Sequence, residues 1–227
     1  MKNIKVTLLH HTPLYIASNG ARTCWDSFDK SDTEGECIGS KDLALIDRVG
    51  NQYHHSSILE HISFNFFIDG ISRACLQETS RHRHASLSVK SSRYTLSELR
   101  DAPKPWEVAV CSAGNPLNMD AVSAFCVLTD DEDVNLSIAY SLSSLQALLI
   151  RKKSNDVAKY CMPEAYRTQL TWTINLRSLQ NFLSLRTDRK ALPEIQHLAN
   201  LIYEALPADA QSLVKHCHKG LANEVHE

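Results

Sequence analysis

Apolar positions along this chain alternate in a few short runs and recur at helical spacing over longer ones. Residues 3–9 (NIKVTLL) are short and β-rich and predict a strand. Residues 14–24, after Thr12-Pro13, predict a helix, and the acidic, glycine-containing stretch 27–39 predicts a loop. Ser40 is placed to cap a helix over 41–53, whose stripe is Leu43, Ile46 and Val49. Residues 62–68 (ISFNFFI) predict a strand with Phe64 and Phe66 on one face, ended by Asp69-Gly70, with a helix running from about Ile71 into the basic stretch that begins at Arg81. Residues 101–118 hold three of the seven prolines and predict an irregular connection. Helices follow near 119–128 and 134–152, split by the acidic run TDDED, and a short one opens at Asn155 or Asp156 and stops before Pro163. Residues 166–174 (YRTQLTWTI) alternate as a strand, and 176–186, 192–205 and 207–219 predict helices. The strands are not arranged as βαβ units. The expected fold is therefore α+β, with helices packed around a small central, mostly antiparallel sheet in a single domain over 1–227. None of the seven glycines forms GxGxxG, so no Rossmann unit is expected.

Length and composition narrow the class. A chain of 227 residues with 43% hydrophobic residues can bury a core without disulfides or a structural metal. Its formal net charge of −2 argues against a general nucleic-acid-binding surface. Seven cysteines, odd in number and without a CxxC pair, suit reduced thiols rather than a disulfide framework. The N-terminal apolar run is too short for a signal peptide, and no run approaches the roughly 20 residues of a membrane span. A cytoplasmic protein with no membrane partner is the expectation.

One local feature departs from that ordinary background. Residues 81–94 read RHRHASLSVKSSRY: three Arg, two His and a Lys among four Ser, with no acid. Forked guanidinium donors and hydroxyls suit an anion. A solvated basic loop or an RNA-contacting patch fits the same residues, although only Tyr94 is near for base stacking. In NLRSLQNFLSLR, residues 175–186, Leu176, Leu179 and Leu183 form one stripe, while Arg177, Asn181 and Ser184 share the other side. Arg186 lies about three turns beyond Asn175 and points the same way. That face could bind pyrophosphate, ribose or a flavin edge, or simply be wet.

Other constellations carry weaker signals. His54, His55 and His61 around Glu60 suggest a metal site, yet the spacing is not HExxH, and His216-Cys217-His218 is weaker still. No metal is expected. Cys161 lacks a paired base and reads as a small core residue. Ser91 and Ser92 have no GxSxG elbow around them.

Three of these segments share one resemblance. RHR-x7-S at 81–91 followed by Arg93-Tyr94, HSSILEH at 55–61 and NLRSLQNFLSLR at 175–186 occur in the order and spacing of the flavin-dependent thymidylate synthases. The resemblance runs from about residue 15 to 205, and HASLSVKSSRY is similar to the epsilonproteobacterial variant found in Helicobacter and Campylobacter. It implies reductive methylation of dUMP to dTMP, with methylenetetrahydrofolate as carbon donor, FAD as cofactor and NADPH as reductant. It also implies a homotetramer with shared active sites. Carried over by position, Ser57, Arg81, His82, Arg83, Asn175, Leu176, Arg177 and Asn181 would contact FAD. Glu78, Arg81, Ser91, Ser92, Arg93, Lys159 and Arg186 would line the dUMP site, with Arg186 as the catalytic cation against the uracil. The chain differs from commoner members in carrying Val89 for a Glu, Gln77-Glu78 for Arg-Gln, and Lys159 for an Arg.

Overall fold

The computed structural model describes residues 4–102 and 119–222, the last two by backbone only. The expected connection over 101–118 falls almost wholly outside the described residues. In chain order the elements are β1 (Lys5–His11), α1 (Tyr15–Trp25), α2 (Ser40–Ile46), β2 (Ser63–Ser72), α3 (Arg73–Ser80), β3 (Ala85–Val89), α4 (Ser92–Thr95) and α5 (Ser97–Asp101). They continue with α6 (Met119–Phe125), α7 (Glu132–Ile150), α8 (Asn155–Ala158), β4 (Arg167–Asn175), α9 (Leu176–Arg186), α10 (Pro193–Glu204), α11 (Ala208–Val214) and α12 (Lys219–Ala222). Among the described residues the strands form one sheet in the order β1-β2-β4-β3. The pairing of β2 with β4 is antiparallel: Leu176 N donates to Ile62 O near one end, and Arg73 N to Tyr166 O near the other. The expected α+β class holds.

Alternation explains the central strands. Along β4, and along β2 as far as Asp69, every second residue is buried: Thr168, Leu170, Trp172 and Ile174 on one, Phe64, Phe66 and Ile68 on the other. Such period-2 burial is what a sheet with one covered face requires.

Contacts divide the chain into two compact units, each discontinuous in sequence. One takes Lys5–Ile68, Glu78–Ser88 and the described residues from Thr171 onward. Its core is an aromatic series: Phe64 lies 6.2 Å from Phe66, Phe66 6.3 Å from Trp172, and Trp172 meets Phe182 edge-on at 5.0 Å. The other takes Ile4, Asp69–Gln77 and the described residues of 89–170. There Leu142, Leu145 and Leu149 of α7 pack with Leu96, Leu99, Val122 and Cys126.

Several expectations are corrected. β2 does not stop at Asp69-Gly70 but runs on to Ser72, because Gly70 adopts φ +88°, which a residue without Cβ takes at little cost. The helix expected over 41–53 stays α-helical only to Ile46 and widens into a π-type turn over Asp47–Gln52; Gly39, not Ser40, precedes its first residue. The late helix ends at Val214, and 215–217 form a 3-10 turn. The helix expected to run from about Ile71 into the basic stretch spans Arg73–Ser80 and stops before it, and β3 lies inside that stretch, where no strand is expected. Cys161 is exposed rather than a core residue.

Candidate active site

Two strand-to-helix junctions deliver the central residues. β2 passes into α3 without a loop, and Ser72 Oγ accepts from Cys75 N at 2.9 Å, capping the helix. β4 passes into α9 the same way. Asn175 ends the strand and its Oδ1 accepts from Ser178 N at 2.8 Å. α9 buries Leu176, Leu179, Phe182 and Leu183, the leucine stripe plus one aromatic, and leaves Arg177 and Asn181 exposed. The side chain of Leu176 is wholly within the core, so only its backbone could meet a ligand.

The ends of α3 and α9 meet at Arg186. Its Nε donates to His82 Nε2 at 3.0 Å, Nη1 to Glu78 Oε2 at 2.7 Å and Nη2 to the Glu78 carbonyl at 3.2 Å. Glu78 reaches the other way too, with Oε1 3.7 Å from Arg81 Nη1. His82 is buried, edge-on to Phe182 at 4.9 Å, so the aromatic core sets its place. Burial pushes His82 down to about 4, helped by the charges of Arg186 and Arg81 and opposed by Glu78. A neutral imidazole accepts at one nitrogen only. The bond from Arg186 therefore assigns the proton to Nδ1.

Arg186 opens onto a cavity of about 480 Å³, shared with Arg81, His82, Asn181, Lys190 and Lys219. Glu78 is not among the residues lining this cavity, although its side chain is 26% exposed. Asp188, also on the wall, is occupied by Lys219 Nζ at 2.5 Å and by Lys190 N at 2.9 Å. The remaining excess of cations suits phosphate or pyrophosphate. Residues expected to hold FAD (Arg81, His82, Asn181) and those expected to hold dUMP (Arg81, Arg186) thus share one wall. Lys190 and Lys219 were not anticipated. Lys190 lies in the turn that follows α9, four residues beyond Arg186, and Lys219 is brought in from the far end of the chain.

The other expected flavin contacts lie on neighbouring elements of the same unit. Ser57 is exposed on the 3-10 turn Ser56–His61, and Glu60 of that turn accepts from Arg177 Nη1 at 2.5 Å. Arg83 is exposed just beyond His82. Among the described residues no group of three or more His, Cys, Asp or Glu is placed to hold a metal ion.

Ser91, Ser92, Arg93 and Lys159 belong to the other compact unit. Ser91 precedes α4, and its carbonyl accepts from Thr95 Oγ1 at 3.1 Å. Arg93 is exposed and forks onto Asp156 at 2.7 and 3.1 Å, while Asn155 Nδ2 donates to the Arg93 carbonyl at 2.7 Å. Lys159 is half-buried at the start of a 3-10 turn. The acids missing from the basic stretch thus come from elsewhere in the chain: Asp156 for Arg93 and Glu98 for Lys90.

The family model described as thymidylate synthase complementing protein matches residues 7–210. The chain belongs to this family, that of the flavin-dependent thymidylate synthases. It is similar to the flavin-dependent thymidylate synthase of Campylobacter jejuni strain RM1221, 49% identical over 96% of this chain and all of that one. The Wolinella succinogenes enzyme is 51% identical over 92% of this chain and 96% of its own. The crystal structure of thymidylate synthase X from Helicobacter pylori with FAD and dUMP matches with a TM-score of 0.87 at 48% identity, over 96% of this chain and all of that chain.

Proposed function

We propose that this chain is a flavin-dependent thymidylate synthase that methylates dUMP at carbon 5 to give dTMP. The observation that carries the reading is the cationic cavity on which Arg81, His82, Asn181 and Arg186 converge from separate segments. Membership of the family and the FAD and dUMP bound by the Helicobacter pylori relative support it. Bound FAD, with NADPH as reductant, supplies the hydride, and methylenetetrahydrofolate supplies the carbon. The residues fit FAD: exposed Arg81, Arg83, Arg177 and Asn181 offer donors for pyrophosphate and ribose, and no Rossmann loop is needed.

The chain's own part is electrostatic. Arg186, against the uracil, stabilises negative charge spread from N3 through the ring, which makes carbon 5 more nucleophilic. No enzyme nucleophile is required. Two thiols point the same way: burial pushes Cys126 up to about 12 and Cys217 up to about 11, which leaves neither a useful thiolate near neutrality. Arg81, with Ser91, Ser92, Arg93 and Lys159, would hold the nucleotide, and Ser57, Arg83, Asn175, Arg177 and the Leu176 backbone would join the flavin contacts. One family model spans both compact units, which supports a single functional domain over the chain. The reading includes a homotetramer with shared sites, working in the cytoplasm.

The test is a visible spectrum of the purified protein after incubation with FAD and desalting, with and without dUMP, followed by a dTMP assay. The reading expects a retained flavin band that shifts with dUMP, and dTMP formed with methylenetetrahydrofolate and NADPH. No dTMP from flavin-loaded protein would overturn it.

A further inference from the structure

An arginine that must stabilise charge at one ring position works best when its fork is already aimed. Left alone, Arg is costly to aim, since its long side chain has many rotamers to give up. In this chain Arg186 is held at three points, and its side chain is only 16% exposed. A guanidinium has five N–H groups. Nε and one hydrogen on each Nη are engaged, which leaves two N–H groups, one on each Nη, without a partner among the described residues. Arg186 lines the cavity, and Glu78, 26% exposed, is not among its lining residues.

We propose that Glu78 is a positioning residue for the reaction: with His82 as second post, it locks the Arg186 guanidinium so that its two unengaged N–H groups meet the uracil. The proposal rests on the synthase reading above and replaces a direct dUMP contact by Glu78 with an indirect one. Three features of the geometry support it. Glu78 grips Arg186 by both its carboxylate and its own backbone carbonyl, so one residue fixes two nitrogens. His82 can accept only as the neutral ring with its proton on Nδ1, and its buried seat against Phe182 keeps it neutral. The second oxygen of Glu78 faces Arg81, which ties the phosphate-type cation to the ring-type cation through one carboxylate.

What the lock needs from position 78 is an acceptor in place, not a charge. Glu78→Gln keeps an oxygen for Arg186 Nη1, whereas Glu78→Ala removes it. The experiment compares both variants with the wild-type full chain, loaded with FAD, for dTMP formation. It adds the ¹⁵N-labelled arginine Nε–H signal of Arg186, assigned by its loss in Arg186→Lys. The expected result is a kcat drop of about a hundredfold in Glu78→Ala, on the scale of removing one preorganised donor, with KM for dUMP within about fivefold. Glu78→Gln should recover kcat to within about fivefold of wild type. The Nε signal should be sharp and slowly exchanging in wild type and Glu78→Gln, and broadened or lost in Glu78→Ala. If Glu78→Gln falls as far as Glu78→Ala, the carboxylate acts by charge or by touching substrate, and positioning is overturned. It is equally overturned if Glu78→Ala keeps both its kcat and its Arg186 signal. Should wild type make no dTMP, the synthase reading fails, and the Nε signal alone still decides whether the lock exists.

Discussion

Arg186 and Arg93 each meet a carboxylate at 2.7 Å, yet the two pairs are different devices. Arg186 is 16% exposed and is gripped additionally by an imidazole and a carbonyl. Arg93 is 58% exposed, and Asp156 is the only acceptor its side chain reaches among the described residues. Solvent screens the second pair, so it is a surface bridge that a phosphate can replace at little cost. The first is a fixed fork with two donors to spare. The same chemical pair therefore serves as a lock in one place and as an exchangeable partner in the other, and burial makes the difference.

The largest stability effect belongs to another locked arginine. Arg22 donates through Nε to Asp42 Oδ1 at 2.7 Å and binds the carbonyls of Ser27 and Lys30, while Ser31 and Thr33 hydroxyls complete Asp42. Burial pushes Asp42 up, but the hydrogen bonds from Ser31, Thr33 and Arg22 outweigh it and hold the carboxyl below its ordinary value. Asp42→Ala strands a buried guanidinium and should cost about 3–5 kcal/mol by denaturant unfolding. A cost under about 1 kcal/mol would break the link between burial and locking.

Arg186→Ala should lower dTMP formation by about a hundredfold to a thousandfold, or about 3–4 kcal/mol, with FAD still retained after desalting. The pH dependence of folding sharpens the contrast further. His82 titrates near 6.5 when unfolded and is pushed down to about 4 when folded, so between these values the unfolded chain alone binds the proton. Stability should fall as pH drops from about 6.5 towards 4, by about 3 kcal/mol at most, and His82→Asn should flatten that slope in urea titrations. An unchanged slope would mean His82 is not held neutral. The smallest effect is Arg93→Ala, expected to move stability by less than about 0.5 kcal/mol while weakening dUMP binding. A large loss of stability there would erase the distinction between the two pairs.

Much of this was legible in sequence, where one face of an element carries a regular period. The alternation of Phe64, Phe66 and Ile68 and of Leu170, Trp172 and Ile174 marked both central strands, and the leucines of α9 marked its buried side. β3 is harder to see: Ala85, Leu87 and Val89 alternate with serines, but the flanking charges mask so short a period. The π-type turn after Ile46 has no side-chain signature of its own. The site residues were readable as motifs. Their relations were not: Glu78 and Arg186 are 108 positions apart, and nothing local says that this carboxylate grips that arginine.

The most direct test of the account is single-turnover formation of dTMP by wild type and Arg186→Ala, each loaded with FAD and given dUMP, methylenetetrahydrofolate and NADPH. The account predicts dTMP from wild type and a rate lower by about a hundredfold or more in the variant, with flavin and dUMP still bound. Turnover by Arg186→Ala within about threefold of wild type would contradict it, since the cation at the end of α9 would then have no part in activating the ring.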